Sequence, residues 1–165
     1  MKLYKYLILL LFCSISQAND LQIRYGIGIF VPDTKNPTEI ILVSLAHQRP
    51  FLKDLLVNKI ELGAFSDSRS DLGRRSSGYI ADSIGLRIQP FQGFYVESLW
   101  GLSALSHTDS WLGSHFQFMQ DLGIGFVDSN SSTIGLSYKH ISSAGLFLPN
   151  KGRDFIVIQI GIPLK

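Results

Sequence analysis

The fold is decided by residues 114–127, which read SHFQFMQDLGIGFV. Large apolar side chains recur at almost every second position of this stretch, and small or polar side chains lie between them. The apolar set is Phe116, Phe118, Leu122, Ile124 and Phe126, and the other set is Gln117, Asp121, Gly123 and Gly125. Because successive side chains of a β-strand point to opposite faces, this alternation predicts a strand with one apolar and one small polar face.

The same period of two runs through the rest of the chain, in pieces separated by turn-rich segments. It predicts eight strands, at about residues 21–31, 38–47, 55–65, 78–88, 92–105, 114–127, 132–142 and 154–163. The second and fourth strands are expected to end at Arg49–Pro50 and Gln89–Pro90, and residues 66–77 are expected to form a polar loop. Connections after odd-numbered strands are mostly longer than those after even-numbered ones, as in bacterial outer-membrane barrels. We therefore predict an all-β fold, an eight-stranded antiparallel up-and-down transmembrane β-barrel.

A barrel of eight strands has an interior that side chains just fill. Charged residues on the small polar faces are therefore expected to form internal ion pairs rather than a transport path. They are Arg24, Arg87, Glu97 and Asp121.

The first segment of the chain is expected to lie outside this fold. Lys2 and Lys5 precede an apolar run over residues 7–15, and Ser16-Gln17-Ala18 supplies the small residues of a cleavage site. Residues 1–18 are therefore predicted to be a signal peptide, and residues 19–165 the barrel domain, because the run is too short for a membrane-spanning helix.

The single cysteine lies in the predicted signal peptide, which excludes disulfides and cysteine metal sites from the mature chain. The formal net charge of +2 indicates no nucleic-acid partner.

A candidate catalytic group lies near the C-terminus. His140 and Ser142 are two residues apart and therefore share the apolar, outward face of the seventh strand. Asp154 begins the corresponding face of the eighth strand, across the connecting loop. These are the residue types of a nucleophilic hydrolase: a serine that attacks, a histidine that takes its proton, and a carboxylate that orients the imidazole. Short patterns of this kind also arise by chance, and a surface role for the histidine is the alternative.

The stretch HISSAGL at residues 140–146, continuing through PNKG at 149–152 to Asp154, resembles the C-terminal signature of the lipid A 3-O-deacylase (PagL) family. The resemblance implies that Ser142 is the nucleophile and His140 the general base, with Asp154 where the family usually has glutamate. It also implies an oxyanion donor at the backbone N–H of Gly145. Ser143 replaces a family asparagine beside that donor, and its hydroxyl is a second candidate donor.

Three further residues are candidates for substrate contact. Asn150 matches a family asparagine, for which a loop-structuring role is the favoured interpretation. Phe116 and Phe118 lie on the outward face of the sixth strand, where ordinary lipid-facing packing is the simpler interpretation.

The resemblance implies an outer-membrane esterase that removes the 3-O-linked acyl chain of lipid A, needs no cofactor or metal, and has lipopolysaccharide and outer-membrane lipids as partners. A homodimer is left open. Two other interpretations are a non-catalytic structural or adhesive barrel, and a soluble lipocalin-like carrier, which would need an apolar interior.

Overall fold

A computed structural model describes residues 20–28, 40–51, 55–67, 75–108, 112–150 and 152–164. Its eight strands are β1 (Asp20–Gly28), β2 (Ile40–Phe51), β3 (Leu56–Asp67), β4 (Arg75–Phe91), β5 (Phe94–Leu105), β6 (Phe116–Val127), β7 (Thr133–Ser142) and β8 (Arg153–Pro163). The predicted signal peptide and the predicted end of the first strand at residues 29–31 lie outside the described residues. No helix in the described ranges is long and apolar enough to cross a membrane.

Each strand pairs antiparallel with the next along the chain, and β1 pairs with β8 to close the barrel. Closure leaves no strand edge unpaired, which is the condition that a bilayer imposes on any β-structure that crosses it. The predicted eight-stranded up-and-down barrel is therefore confirmed.

The predicted ends of two strands were wrong. β2 continues through Pro50, which lies opposite Val57 one residue before the strand ends, so its missing N–H costs at most one ladder bond. β4 continues past Pro90 because the register shifts between Ile88 and Phe91, where a bulge interrupts the ladder.

The predicted polar loop at residues 66–77 is shorter than expected. Ser66 pairs with Ser76 and Asp67 with Arg75, so both ends of this segment belong to strands β3 and β4. Residues 68–74 lie outside the described part of the chain. Polar residues can extend a hairpin beyond the bilayer, where the ladder needs no apolar face.

The two faces of the barrel wall have opposite character, as the alternation predicts. Most outward side chains are exposed and apolar; on β1 they are Ile23, Tyr25 and Ile27, and on β6 the exposed apolar ones are Phe116, Phe118, Leu122, Ile124 and Phe126. An apolar outer band is what the hydrocarbon core of a membrane requires.

Buried ion pairs fill one part of the interior, beside a cluster of buried apolar side chains. Arg24 bonds to Glu61 at 2.7 Å and to Asp121 at 2.6 Å. The other pairs are Lys59–Glu97 at 3.2 Å, Arg87–Glu97 at 2.7 Å and Lys139–Glu61 at 2.5 Å. The predicted internal pairing is confirmed. A lipocalin-like carrier needs a wholly apolar interior and a polar exterior, whereas this barrel has ion pairs inside and an apolar outer wall.

Candidate active site

The candidate triad lies at the loop end of two neighbouring strands. β7 and β8 pair so that His140 is directly opposite Asp154, and Ser142 ends β7 two residues further on. All three side chains therefore follow the outward face. Below them, Leu136 and Ile134 on β7 are exposed and apolar. The three polar residues of the triad therefore lie at the end of an apolar stripe on the outer wall, at the end of the barrel that carries the longer loops.

The three side chains form a continuous hydrogen-bonded chain. His140 Nδ1 lies 2.6 Å from Asp154 Oδ1, and His140 Nε2 lies 2.9 Å from Ser142 Oγ. Because an ionised carboxylate only accepts hydrogen bonds, Nδ1–H is the donor to Asp154, and Nε2 is left to accept from the serine hydroxyl. This is the tautomer that a general base needs to take a proton from a serine.

Solvent reaches the three groups unequally. The side chains of His140 and Asp154 are partly exposed, whereas Ser142 is buried. The nucleophile is therefore shielded by its surroundings while the base remains accessible from the outer wall. Such an arrangement can attack an ester carbonyl that arrives from the lipid side.

Sequence reasoning missed Tyr138, which lies two residues before His140 on the same outward face. Its hydroxyl donates to Asp154 Oδ1 at 2.5 Å, the same oxygen that accepts from His140. Tyr138 pairs in register with Ile156, two residues after Asp154, so the contact is a diagonal one across the β7–β8 ladder. Diagonal neighbours lie within reach of aromatic side chains, and this geometry was the available signal.

Gly152 was also missed, although it lies inside the stretch that carries the resemblance. It has a positive φ of 68°, and a Cβ built on it would lie 2.8 Å from His140 Cε1 and 3.5 Å from Nε2. The backbone of Gly152 therefore packs directly against the imidazole. A glycine immediately before β8 was the sequence signal, since a close backbone approach excludes any side chain.

The loop after Ser142 starts with a tight turn. Ala144 and Gly145 have φ values of 52° and 80°, and Leu146 N–H donates to Ser143 O at 3.0 Å. Positive φ at both central residues is the pattern of a type I′ turn. A Cβ added at Gly145 would meet nothing within 4 Å, so the space beside this residue is open.

Both hydrogen-bond donors of Ser143 are engaged within the loop. Its N–H donates to Asn150 Oδ1 at 2.8 Å, and its hydroxyl donates to Phe147 O at 2.9 Å. The contact made by Asn150 agrees with the loop-structuring role favoured from the sequence. The Ser143 hydroxyl is directed to the loop rather than held free for a substrate.

The neighbouring loop between β5 and β6 supports this arrangement. Leu112 forms an isolated β-bridge with Asn150, and Gly113 N–H donates to Pro149 O at 2.8 Å. The two loops are thus joined through their backbones. This contact restrains the loop that carries Ser143 and Gly145.

The two candidate phenylalanines differ in their distance from the triad. Phe118 lies directly opposite Ser142 on the neighbouring strand β6 and is 44% exposed. Phe116 lies further out on the same face, beyond the end of the β6–β7 ladder, and is 72% exposed. Phe118 is therefore the better placed of the two to touch a molecule bound at the serine.

No metal centre accompanies these residues in the part of the chain that the structure describes, where no group of three or more His, Cys, Asp or Glu side chains could hold an ion.

Comparisons with known proteins agree with the resemblance seen in the sequence. Residues 63–163 match the family model described as lipid A 3-O-deacylase (PagL). The chain is 39% identical over 90 residues to lipid A deacylase PagL of Bordetella bronchiseptica, covering 51% of each chain. It is 32% identical over 89 residues to the protein of the same name from Pseudomonas aeruginosa, covering 52% of this chain and 49% of the relative.

The described barrel also resembles the crystal structure of the outer membrane enzyme PagL, with a TM-score of 0.60 and 20% identity over 87% of this chain and 99% of that one. At this identity the likeness concerns the fold. The chain spans about half the length of the curated relatives that it matches.

Proposed function

The chain belongs to the lipid A 3-O-deacylase (PagL) family, and from this we propose that it is an outer-membrane esterase that hydrolyses the 3-O-linked acyl chain of lipid A. An apolar outer wall on a closed barrel fits a place in the cell outer membrane. The predicted signal peptide at residues 1–18 would direct export and be removed. In this proposal Ser142, His140 and Asp154 are the catalytic residues.

The observation that carries the proposal is the hydrogen-bonded chain from Asp154 through His140 to Ser142. The 2.9 Å distance is typical of a hydrogen bond, and the 2.6 Å distance is short, as expected for a bond to a charged carboxylate. A serine is a weak nucleophile until a base accepts its proton, and a histidine held in one tautomer supplies that base. A merely exposed surface histidine would need neither partner.

The reaction proceeds in two halves. Ser142 Oγ attacks the ester carbonyl while its proton moves to His140 Nε2, and the carboxylate of Asp154 stabilises the charged imidazole. His140 then gives this proton to the sugar oxygen as the bond to the acyl carbon breaks. In the second half, water gives a proton to His140 and attacks the acyl-enzyme. His140 returns this proton to Ser142 Oγ as the acyl bond to the serine breaks, which releases a 3-hydroxy fatty acid and restores the hydroxyl.

The developing negative charge on the carbonyl oxygen needs a hydrogen-bond donor. Gly145 N–H is our candidate, because the space beside this residue is open and its turn follows directly after the nucleophile. Ser143 would serve as a second donor only by releasing the Phe147 carbonyl. Loss of one oxyanion donor typically reduces kcat by about a hundredfold or more.

The substrate would approach from the side, within the membrane. Lipid A is itself a lipid of the outer leaflet, and the triad faces outward at the end of an apolar stripe. Phe118, opposite Ser142, would contact the acyl chain as it enters, with Phe116 further out and Asn150 holding the loop. The enzyme would therefore need no deep cleft.

The test is mass spectrometry of lipid A from cells that make the wild-type protein or Ser142→Ala. Wild-type cells should lose the 3-linked hydroxyacyl mass, and Ser142→Ala cells should keep it although the barrel is folded and heat-modifiable. Ser129→Ala, in the exposed turn at the opposite end of the barrel, is the matched control and should retain activity.

Two results would contradict the proposal. Release of the 3-linked chain by Ser142→Ala would exclude the mechanism. Unchanged lipid A in cells that insert the wild-type protein would instead favour the non-catalytic barrel.

A further inference from the structure

The carboxylate of Asp154 accepts two hydrogen bonds on a single oxygen. His140 Nδ1 lies 2.6 Å from Oδ1 and the hydroxyl of Tyr138 lies 2.5 Å from the same atom. The first bond belongs to the triad, whereas the second comes from a residue that the reaction scheme does not use. Its position suggests a role in holding the carboxylate.

Asp154 needs such support for two reasons. It begins an outward stripe of the barrel wall, where an ionised side chain without polar partners is costly. Its short side chain must also reach the imidazole from the neighbouring strand, so rotation of the carboxylate would break that contact. A second donor both stabilises the charge and restricts rotation of the carboxylate.

Tyr138 is well placed to act in this way. It is half-buried at the end of a shallow apolar groove of about 460 Å³ on the outer wall, whose lining includes Leu122, Leu136 and Ile156. Leu122 and Ile156 lie directly opposite Tyr138 on the two neighbouring strands, and its hydroxyl points to the one carboxylate of the triad. A tyrosine hydroxyl in apolar surroundings normally has a hydrogen-bond partner.

We propose that Tyr138 is a positioning residue of the active site, which orients Asp154 through its hydroxyl and so keeps His140 in the tautomer and orientation that activate Ser142. The proposal rests on the function proposed above and adds to it a fourth member of the hydrogen-bonded group. Tyr138 acts through Asp154 and does not itself touch the reacting atoms.

The decisive variant is Tyr138→Phe, which keeps the ring and its apolar contacts and removes only the hydroxyl. With purified protein and lipid A, we expect kcat to fall about tenfold and KM to stay within twofold, because one hydrogen bond to a charged group is lost. Tyr25→Phe, which removes another outward hydroxyl on β1, is the matched control and should leave both constants unchanged.

A double-mutant cycle separates positioning from a general structural role. In the Asp154→Asn background, Tyr138→Phe should change kcat by less than twofold, since its target is already lost. Residues that act independently would instead show multiplicative losses. A full tenfold further loss in that background would overturn the proposal.

A second readout does not depend on lipid A. The rate at which a fluorophosphonate labels Ser142 reports how well His140 activates the serine, and it should also fall about tenfold in Tyr138→Phe. If the wild-type protein leaves lipid A intact but its labelling rate still depends on Tyr138, the proposed substrate is wrong and the positioning role stands.

Three further outcomes would overturn the positioning role itself. The first is a Tyr138→Phe protein with wild-type kcat and labelling rate. The second is a variant in which KM alone changes, as expected of a simple contact with the acyl chain. The third is a variant that fails to insert, because a positioning hydroxyl is not needed to close the barrel.

Discussion

Replacement of Gly152 by alanine should damage the active site through one methyl group. Gly152 has a positive φ of 68°, and the new Cβ would lie 2.8 Å from His140 Cε1. Ordinary van der Waals contact begins at 3.4 Å, so the ring must move by about 0.6 Å, the difference between these distances.

The imidazole cannot move without loss of its hydrogen bonds. It is bonded on one side to Asp154 at 2.6 Å and on the other to Ser142 at 2.9 Å. A misplacement of about 1 Å at a reacting group costs about a hundredfold in rate, and a shift of about 0.6 Å should therefore cost roughly tenfold or more. We expect kcat for lipid A to fall by this amount with little change in KM.

The variant also carries backbone strain, which needs its own control. Alanine in the left-handed region costs about 1–2 kcal/mol wherever it is placed. Gly93→Ala provides the comparison, since Gly93 has a φ of 78° in the β4–β5 turn at the far end of the barrel, where its Cβ would meet Val127 O at 3.0 Å. Both variants should lose comparable thermal stability.

The assay is steady-state deacylation by purified, refolded protein, together with thermal unfolding followed by the heat-modifiable gel shift. Wild-type kcat in Gly152→Ala would refute the steric argument. An equal loss of kcat in Gly93→Ala would show that backbone strain, and not the contact with His140, controls activity.

Three other changes test separate parts of the structure. Asp154→Asn should fold normally and lower kcat by up to about 10⁴-fold, because the imidazole loses its tautomer control; activity within tenfold of wild type would exclude the triad. Glu61→Gln removes the carboxylate shared by two buried cations, and should lower the free energy of unfolding by on the order of 3 kcal/mol in urea titrations without moving the triad. Phe118→Ala should raise KM several-fold with kcat nearly unchanged, whereas Phe126→Ala, at the other end of the same face, should have no effect on either constant.

Much of the fold could be predicted because a period of two in the sequence indicates which side chains face the lipid and which face the interior. A side chain that faces lipid must be apolar, and one that faces inward must fit a narrow interior. A large apolar residue such as Ile124 therefore indicates the outward face, and a small one such as Gly123 indicates the inward face. Strand ends carry less information. Pro50 and Pro90 were expected to break strands, but a ladder end and a bulge accommodate them, and neither is visible in the local sequence.

Some contacts of the candidate site could likewise be predicted from local spacing, and others could not. His140 and Ser142 share a strand face by spacing alone, so their proximity followed from the sequence. Asp154 was expected nearby because it begins the outward face of the neighbouring strand, but its place directly opposite His140 depends on the register of β7 with β8. The signals for Tyr138 and Gly152 were weaker, since the contact of one crosses the ladder diagonally and the contact of the other comes from a backbone without a side chain.

The sequence by itself determined the alternation of faces, the number of strands and the residue types near the C-terminal loop, because each of these depends on local spacing. Only the tertiary structure decided which charges pair inside the barrel, how the loop uses both donors of Ser143, and that one oxygen of Asp154 is shared by Tyr138 and His140. These contacts join residues from different strands and loops. Their distances depend on the stagger and closure of the whole barrel, which no single stretch of sequence contains.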